Sequence, residues 1–302
     1  MCAKSRSMLN TLRSMTEHPL NRRHPLSALA GFVRWQIGSR LVPGAVVVPF
    51  VEKTRLIVRP GMTGATGSVY CGLHEFESMA LVLHAMRAGD VFVDVGANVG
   101  SYTVLASGVC GANTVAIEPV PCTFAHLIDN IRINGLESLV TARNMGLGAC
   151  QGDLHFSDDL DTGNHVLSEE EYVVKRGVSV PADTMDEVLL GLSATLIKID
   201  VEGFETAVIK GAGNTLRSNG LLGVVLELNG SGKRYGFDEE KLRETMGGLG
   251  FTSCIYDPFL REVGKLNSGM SRSDNVLYVR DIASLSERVR SAPKRIIHGE
   301  PV

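Results

Sequence analysis

Between residues 91 and 279, short apolar runs alternate with stretches in which apolar residues recur every three or four positions. The runs predict buried strands, and the three-to-four spacing predicts helices packed against them. Val91-Phe92-Val93-Asp94-Val95 is the first run, and residues 114–117, 139–145, 195–199 and 224–228 repeat it. Residues 74–87 read as a helix, with Phe76, Met79, Ala80, Leu83 and Met86 on one face. Further helices are expected at 102–107, 122–134 (closed by Gly135), 185–190, 205–210 and 239–249. Residues 251–256 and 275–279 are both strand-like and close in sequence, which predicts a closing antiparallel pair. The order is that of a doubly wound α/β fold with a seven-stranded sheet and a late hairpin.

The pattern changes at both ends and once in the middle. In residues 26–37, Leu26, Leu29, Ala30, Val33 and Ile37 share a helical stripe, with Arg34 and Gln36 off it. Packing of that stripe onto the main domain is the expected use, and contact with a membrane surface is the alternative. Residues 45–50 and 54–58 read as two short strands. Gly61, Gly64 and Gly67 predict a mobile loop covering a site. Residues 149–183 interrupt the alternation, with Gly152, an acidic stretch at 158–161 and Gly163-Asn164 suggesting a hairpin and an exposed loop. This gives an N-terminal extension at 1–60, a main domain at 61–282 and a loosely ordered tail at 283–302.

Composition narrows the class without naming it. An apolar fraction of 44% and a charged fraction of 21% suit an ordinary soluble globular chain of 302 residues. No stretch approaches the roughly 18 uninterrupted apolar residues of a membrane span, and no apolar segment follows the early basic residues as in a secretory leader. Six scattered cysteines without CxxC pairing predict reduced thiols in a cytoplasmic protein. Net charge is only −3, but residues 1–60 hold ten lysines and arginines against Glu17 and Glu52. Such a basic arm recruits an anionic partner or docks on the chain's own acidic body. No nucleic-acid motif accompanies it, so nucleic acid is not an expected partner.

The informative segment is Asp94-Val95-Gly96-Ala97-Asn98-Val99-Gly100, where the first buried strand turns into a helix. Open α/β sheets present ligands at this carboxyl edge. A dinucleotide fingerprint needs GxGxxG, whereas here Asn98 takes the middle position and Asp94 stands just before. An acidic residue there repels a pyrophosphate and suits the amino group of an amino-acid ligand. Glu118 ends the second strand, placed to accept from both hydroxyls of a ribose. An adenosine with a cationic, phosphate-free tail fits these charges better than a nicotinamide dinucleotide does.

These stretches, with Glu118-Pro119 and Lys198-Ile199-Asp200-Val201-Glu202-Gly203-Phe204-Glu205, resemble the signatures of the FkbM family of methyltransferases. The likeness runs from about Gly61 to Val279 and takes in Tyr70, Gly72 and Glu75. It implies a class I, Rossmann-like methyltransferase fold using S-adenosylmethionine, usually on a hydroxyl of a sugar, polyketide or glycolipid. By that resemblance Gly96, Asn98 and Gly100 cradle the methionine portion, Glu118 holds the ribose, and Asn144, Met145 and Gly146 flank the adenine. The basic extension lies outside the likeness.

A later strand carries Asp200 and Glu202 to the same edge, and the next brings Glu227. Methylating an alcohol requires placing the acceptor and removing its proton, work for which a carboxylate is suited. Asp200, Glu202 and Glu227 are therefore the catalytic candidates, with Asp200 near the methyl group and Glu202 as base or acceptor-orienting residue. His165 is a second candidate base, Lys198 is expected in an ion pair, and the three carboxylates are candidates for a divalent metal. Two other functions compete: a nucleotide-binding oxidoreductase of the same fold class, and a non-catalytic domain that binds partners through its basic arm. Within the enzyme reading, nitrogen acceptors stay open.

Overall fold

The computed structural model describes residues 13–302 apart from 14, 23–24, 42–43, 60–61, 159–162, 175–176 and 267–273. The side chains at 27, 34, 63, 64, 169 and 173 also lie outside the description. Gly61, most of the acidic stretch at 158–161 and the side chain of Arg34 therefore fall outside it.

A helix at Pro25–Leu41 leads into a hairpin of β1 (Val46–Pro49) and β2 (Arg55–Val58), then helices at Thr63–Cys71 and Phe76–Ala85. The main sheet begins with β3 (Val91–Val95), β4 (Asn113–Ile117) and β5 (Val140–Arg143). A small three-stranded sheet follows, from β6 (Gly146–Leu147), β7 (Gly152–Phe156) and β8 (Val178–Asp183). The chain then re-enters the main sheet as β9 (Leu196–Ile199), β10 (Gly223–Glu227), β11 (Thr252–Asp257), β12 (Glu262–Lys265) and β13 (Asn275–Val279).

The main sheet runs β12-β11-β13-β10-β9-β3-β4-β5. The pairs from β10 through β9, β3 and β4 to β5 are parallel, and those among β10, β13, β11 and β12 are antiparallel. The sheet thus has eight strands rather than the expected seven. The extra strand is Glu262-Val263-Gly264-Lys265, an edge strand paired to β11 through its backbone. An edge strand that buries little has no apolar alternation to betray it.

From β3 the chain steps outward to β4 and β5, then returns to place β9 on the other side of β3. The crevice at such a reversal of strand order is where open α/β sheets bind ligands. Register brings the strand ends level: Val95 pairs with both Ile117 and Ile199, so the turns after β3, β4 and β9 open side by side. Along β3 and β9, Phe92, Asp94, Leu196 and Lys198 share one face, with Val93, Val95, Ile197 and Ile199 on the other. The helix at Phe76–Ala85 covers the first face and is itself buried all round.

Four local expectations are corrected. The segment over 102–107 is a short helix at Ser101–Thr103 continuing as a π-helix through Val104–Val109. A Cβ at Gly108 would lie 2.7 Å from Thr54 Cγ2, so glycine lets this widened turn pass the hairpin. The mobile loop expected from Gly61, Gly64 and Gly67 is, beyond residue 62, the helix Thr63–Cys71. Its glycine is explained by contact instead: a Cβ at Gly67 would strike the His74 ring at 2.3 Å. The last 20 residues are no loose tail but a helix at Ile282–Arg290 and a hairpin of β14 (Ile296–Ile297) and β15 (Glu300–Pro301). Leu285, Val289, Ile297 and Val302 are buried in the core that contains Phe92. Finally, the apolar stripe of the first helix faces outward, while Ala28 and Phe32 pack inward.

Candidate functional site

A cavity of about 260 Å³ opens at the carboxyl edge where the strand order reverses. Gly96, Asn98, Glu118, Asp200, Glu202 and Glu227 line it, joined by His74, Glu75, Tyr102, Phe156 and Asn164. Six of the predicted site residues thus meet on one wall. Asp94, Gly100, Asn144, Met145 and Gly146 do not line it.

On the cavity wall the chain turns sharply after β3. Gly96 has φ +76°, and a Cβ there would sit 1.8 Å from the carbonyl oxygen of Asp200. Only glycine allows the turns after β3 and β9 to come this close. Asn98 is left-handed at φ +51°, a conformation its short polar side chain tolerates, with Oδ1 accepting from Val99 N–H at 2.8 Å. Its own N–H donates to Glu118 Oε2 at 2.9 Å, and Val120 N–H donates to Glu118 Oε1 at 2.9 Å. Burial pushes the Glu118 carboxyl up to about 7 despite these two donors.

The predicted residues off the wall hold it from behind. Asp94 is buried and accepts from Thr103 Oγ1 at 2.6 Å, tying β3 to the following helix. Asn144 Nδ2 donates to the carbonyl oxygens of Glu118 and Pro119, at 2.9 and 2.8 Å. Gly100, at φ +88°, brings its turn against Leu127. Gly146 starts β6 with Leu154 and Phe156 packed close over it, and Met145 packs at the rim of the core around Val95 and Ile199.

The turn after β9, against which Gly96 packs, carries the charge. Lys198 Nζ donates to Asp200 Oδ2 at 2.6 Å and lies 4.7 Å from the centre of the Tyr102 ring. Burial opposes the ammonium charge, but Asp200, Glu75 and Asp94 outweigh it and hold Lys198 above its ordinary value. Burial likewise opposes the Asp200 charge, and Lys198 overcomes it, so Asp200 stays ionised. Glu202 has φ +53° and is followed by Gly203 at φ +102°, where a Cβ would strike the Ser231–Gly232 backbone. Glu205 Oε1 stabilises this turn, accepting from Val201 N–H at 3.1 Å and Gly203 N–H at 3.2 Å. Burial and the Asp200 charge push Glu202 up to about 7. Glu227 is pushed up to about 9 by burial and by the charges of Asp200 and Glu202. Asp200, Glu202 and Glu227 each offer an oxygen within 4.8 Å of the others.

Glu75 and Tyr102, to which the sequence reading gives no role, meet on the wall. Tyr102 OH donates a short hydrogen bond to Glu75 Oε2, to which Asn275 Nδ2 also donates at 3.1 Å. Glu75 lies just before a helix and Tyr102 just inside another, so nothing in their spacing marks them as neighbours. His165, the second candidate base, is buried off the cavity wall. Its ring meets the Gly163 carbonyl at 2.9 Å and Glu171 at 3.3 Å, leaving neighbouring Asn164 to face the cavity.

The lining fits a cationic adenosine ligand. A carboxylate stands at the strand end suited to a ribose, and Glu75, Asp200, Glu202 and Glu227 face the interior with Lys198 as the one cation on the described wall. A pyrophosphate would meet this acidic lining unfavourably.

Comparison with known proteins follows the same line. Residues 94–253 match the methyltransferase FkbM domain. Hexuronic acid methyltransferase AglP from Haloferax volcanii is 32% identical over 146 residues, covering 48% of this chain and 59% of that relative. Among solved structures, methyltransferase FkbM from Methylobacillus flagellatus superposes with a TM-score of 0.43 at 17% identity, over 63% of this chain and 43% of that one. Precorrin-6y C5,15-methyltransferase from Geobacter metallireducens gives a TM-score of 0.39 at 14% identity, over 68% and 87%. At those scores the superpositions add nothing to the strand order. The matched segment runs from the end of β3 to the start of β11, with every one of the predicted site residues inside it, and the chain belongs to the FkbM methyltransferase domain family.

Proposed function

We propose that this chain transfers a methyl group from S-adenosylmethionine to a hydroxyl of a sugar, glycolipid or similar small acceptor, with Glu202 as the base. The observation that carries the reading is that one cavity separates three neighbouring carboxyls into three protonation states. Asp200 is kept ionised by Lys198, Glu227 keeps its proton to about 9, and Glu202 titrates near 7. Groups pushed apart in this way divide acid and base roles. Glu202 is the one able to accept a proton at neutral pH, while protonated Glu227 donates its hydrogen bond to ionised Asp200.

S-Adenosylmethionine, when bound, supplies an already activated methyl group. Glu118 would hold its ribose, and the backbone at Gly96 and Asn98 its methionine portion. Asp94, Gly100, Asn144, Met145 and Gly146 would fix that end from behind the wall rather than by touching ligand. Asp200 and Lys198 would keep the charge near the sulfonium constant while Glu202 changes protonation. The acidic lining favours a neutral hydroxyl, and the similarity to a hexuronic acid methyltransferase favours a sugar. The spacing of Asp200, Glu202 and Glu227 would also suit a divalent ion. Lys198 already neutralises Asp200 at 2.6 Å, so we assign the positive charge of this site to the ammonium, and turnover is expected to survive chelation.

Isothermal titration with S-adenosylmethionine, S-adenosylhomocysteine and NAD, on protein stripped of carried-over ligand, tests the cofactor. Saturable binding of the two sulfur compounds alone is expected. Folded protein that binds neither would overturn the reading, and binding of NAD instead would move the chain to the oxidoreductases.

A further inference from the structure

The helix at Pro25–Leu41 turns its apolar side to solvent. Leu26 is 81% exposed, Leu29 41%, Val33 46%, Ile37 54% and Leu41 74%. These residues follow one another by three or four positions, so they form a continuous stripe. The helix is not a loose appendage. The Phe32 and Tyr70 rings meet at a tilt of 50° with centres 5.2 Å apart, and Gln36 Nε2 donates to Tyr70 OH at 3.2 Å. Trp35 packs against the cluster of Leu56, Val58, Met62 and Ala65. A neighbour thus anchors the inner face, and nothing among the described residues covers the outer one.

Charge indicates what the outer face meets. Residues 1–60 hold ten lysines and arginines against two acidic residues, while residues 61–302 hold 20 against 31. Arg13, Arg22, Arg40, Lys53, Arg55 and Arg59 are exposed. Two copies apposed through this segment would set like charges together, whereas an anionic surface would be attracted. The helix is apolar on its inner face as well, and its outer stripe, flanked in the chain by basic residues, offers a lipid interface apolar area together with attraction to anionic headgroups. No helix among the described residues is long and apolar enough to cross a membrane.

We propose that the Pro25–Leu41 helix docks the protein on an anionic lipid surface, with Leu26, Leu29, Val33, Ile37 and Leu41 inserted at the headgroup boundary. The docked helix packs on Thr63–Cys71, whose Gly67 abuts His74 on the cavity wall. The surface contact therefore adjoins, through two packed elements, a residue of the cavity wall.

Co-sedimentation of the full chain with vesicles tests this. Binding is expected to phosphatidylcholine vesicles containing one-quarter phosphatidylglycerol, to fall with added salt, and to be weak on phosphatidylcholine alone. Combining Leu26→Glu, Val33→Glu and Ile37→Glu is expected to reduce partitioning by about tenfold or more. Because the three positions are exposed, the melting temperature and circular dichroism should be unchanged. If that variant misfolds, Arg22→Gln with Arg40→Gln is the second test, and it should weaken only the anionic-vesicle binding. Vesicle binding unaffected by both variants, or no binding by folded wild-type protein, overturns the proposal. So does a dimer in solution that the glutamate substitutions dissociate, which gives the face to a second copy. Binding that appears only once residues 1–12 are deleted gives it to the chain's own N-terminus.

Discussion

Glu118 and Glu202 line one cavity, and both carboxyls are raised to about 7, yet they are held differently. Glu118 is buried, with one backbone N–H on each oxygen. Glu202 stands on a left-handed residue, partly exposed, and its second influence after burial is the Asp200 charge rather than a donor. A carboxylate with both oxygens directed is built to hold a ligand in one pose. One raised by burial and a like charge is built to gain and lose a proton. On the proposed reading, the same shift belongs to a binding group in one case and to a proton acceptor in the other.

Removing the proton acceptor should have the largest effect. Glu202→Gln is expected to lower kcat by about 10² to 10⁴, the usual contribution of a general base, while leaving the S-adenosylmethionine Kd within about threefold. Wild-type turnover in that variant would move the base elsewhere. Glu118→Gln should do the reverse. It loses a charge-assisted acceptor worth about 1.5–3 kcal/mol, so cofactor Kd should rise by roughly tenfold or more with kcat at saturation nearly kept. Equal losses of kcat in both variants would erase the contrast.

A pH series sharpens it further. If Glu202 must be ionised, kcat should rise with pH and level off above about 7, and Glu202→Gln should flatten the profile. Stability should run the other way. Both carboxyls hold protons more tightly in the fold than in the unfolded chain, where glutamate titrates near about 4.3. Their contribution is complete below that value and is lost as pH rises through about 7. Thermal melts across that window would check the sign. The smallest effect is expected from His165→Asn, which should change kcat by less than about twofold because the ring is spent on Gly163 and Glu171. A large loss of turnover, with the melting temperature unchanged, would return the histidine to the list of bases.

Much of this was legible in the sequence because it rests on local periodicity. The run 91–95 and the glycine turn after it could be read from residue order, since a buried parallel strand must be apolar and a tight turn must relax its dihedrals. Strand ends carrying Glu118, Asp200 and Glu227 follow from the same alternation, which is why six predicted residues meet in one cavity. Where burial is small or backbone bonding dominates, the signal disappears. The polar edge strand β12 and the π-helix at Val104–Val109 both escaped notice for that reason. The Leu26–Ile37 stripe shows a further limit: periodicity identifies an apolar face but not the direction it points, and here Phe32 and Trp35 won the inner side.

Sequence alone thus determined the alternation of the parallel strands with helices, the doubly wound class and the carboxylates at the strand ends, because each depends on residues close together in the chain. Tertiary structure decided what those carboxylates are. Lys198 ionising Asp200, Asp200 in turn keeping the proton on Glu227, and Tyr102 meeting Glu75 all depend on distances between strands and helices far apart in sequence. Charge interactions in a poorly solvated cavity change steeply over a few ångströms, and only the packed fold sets those distances.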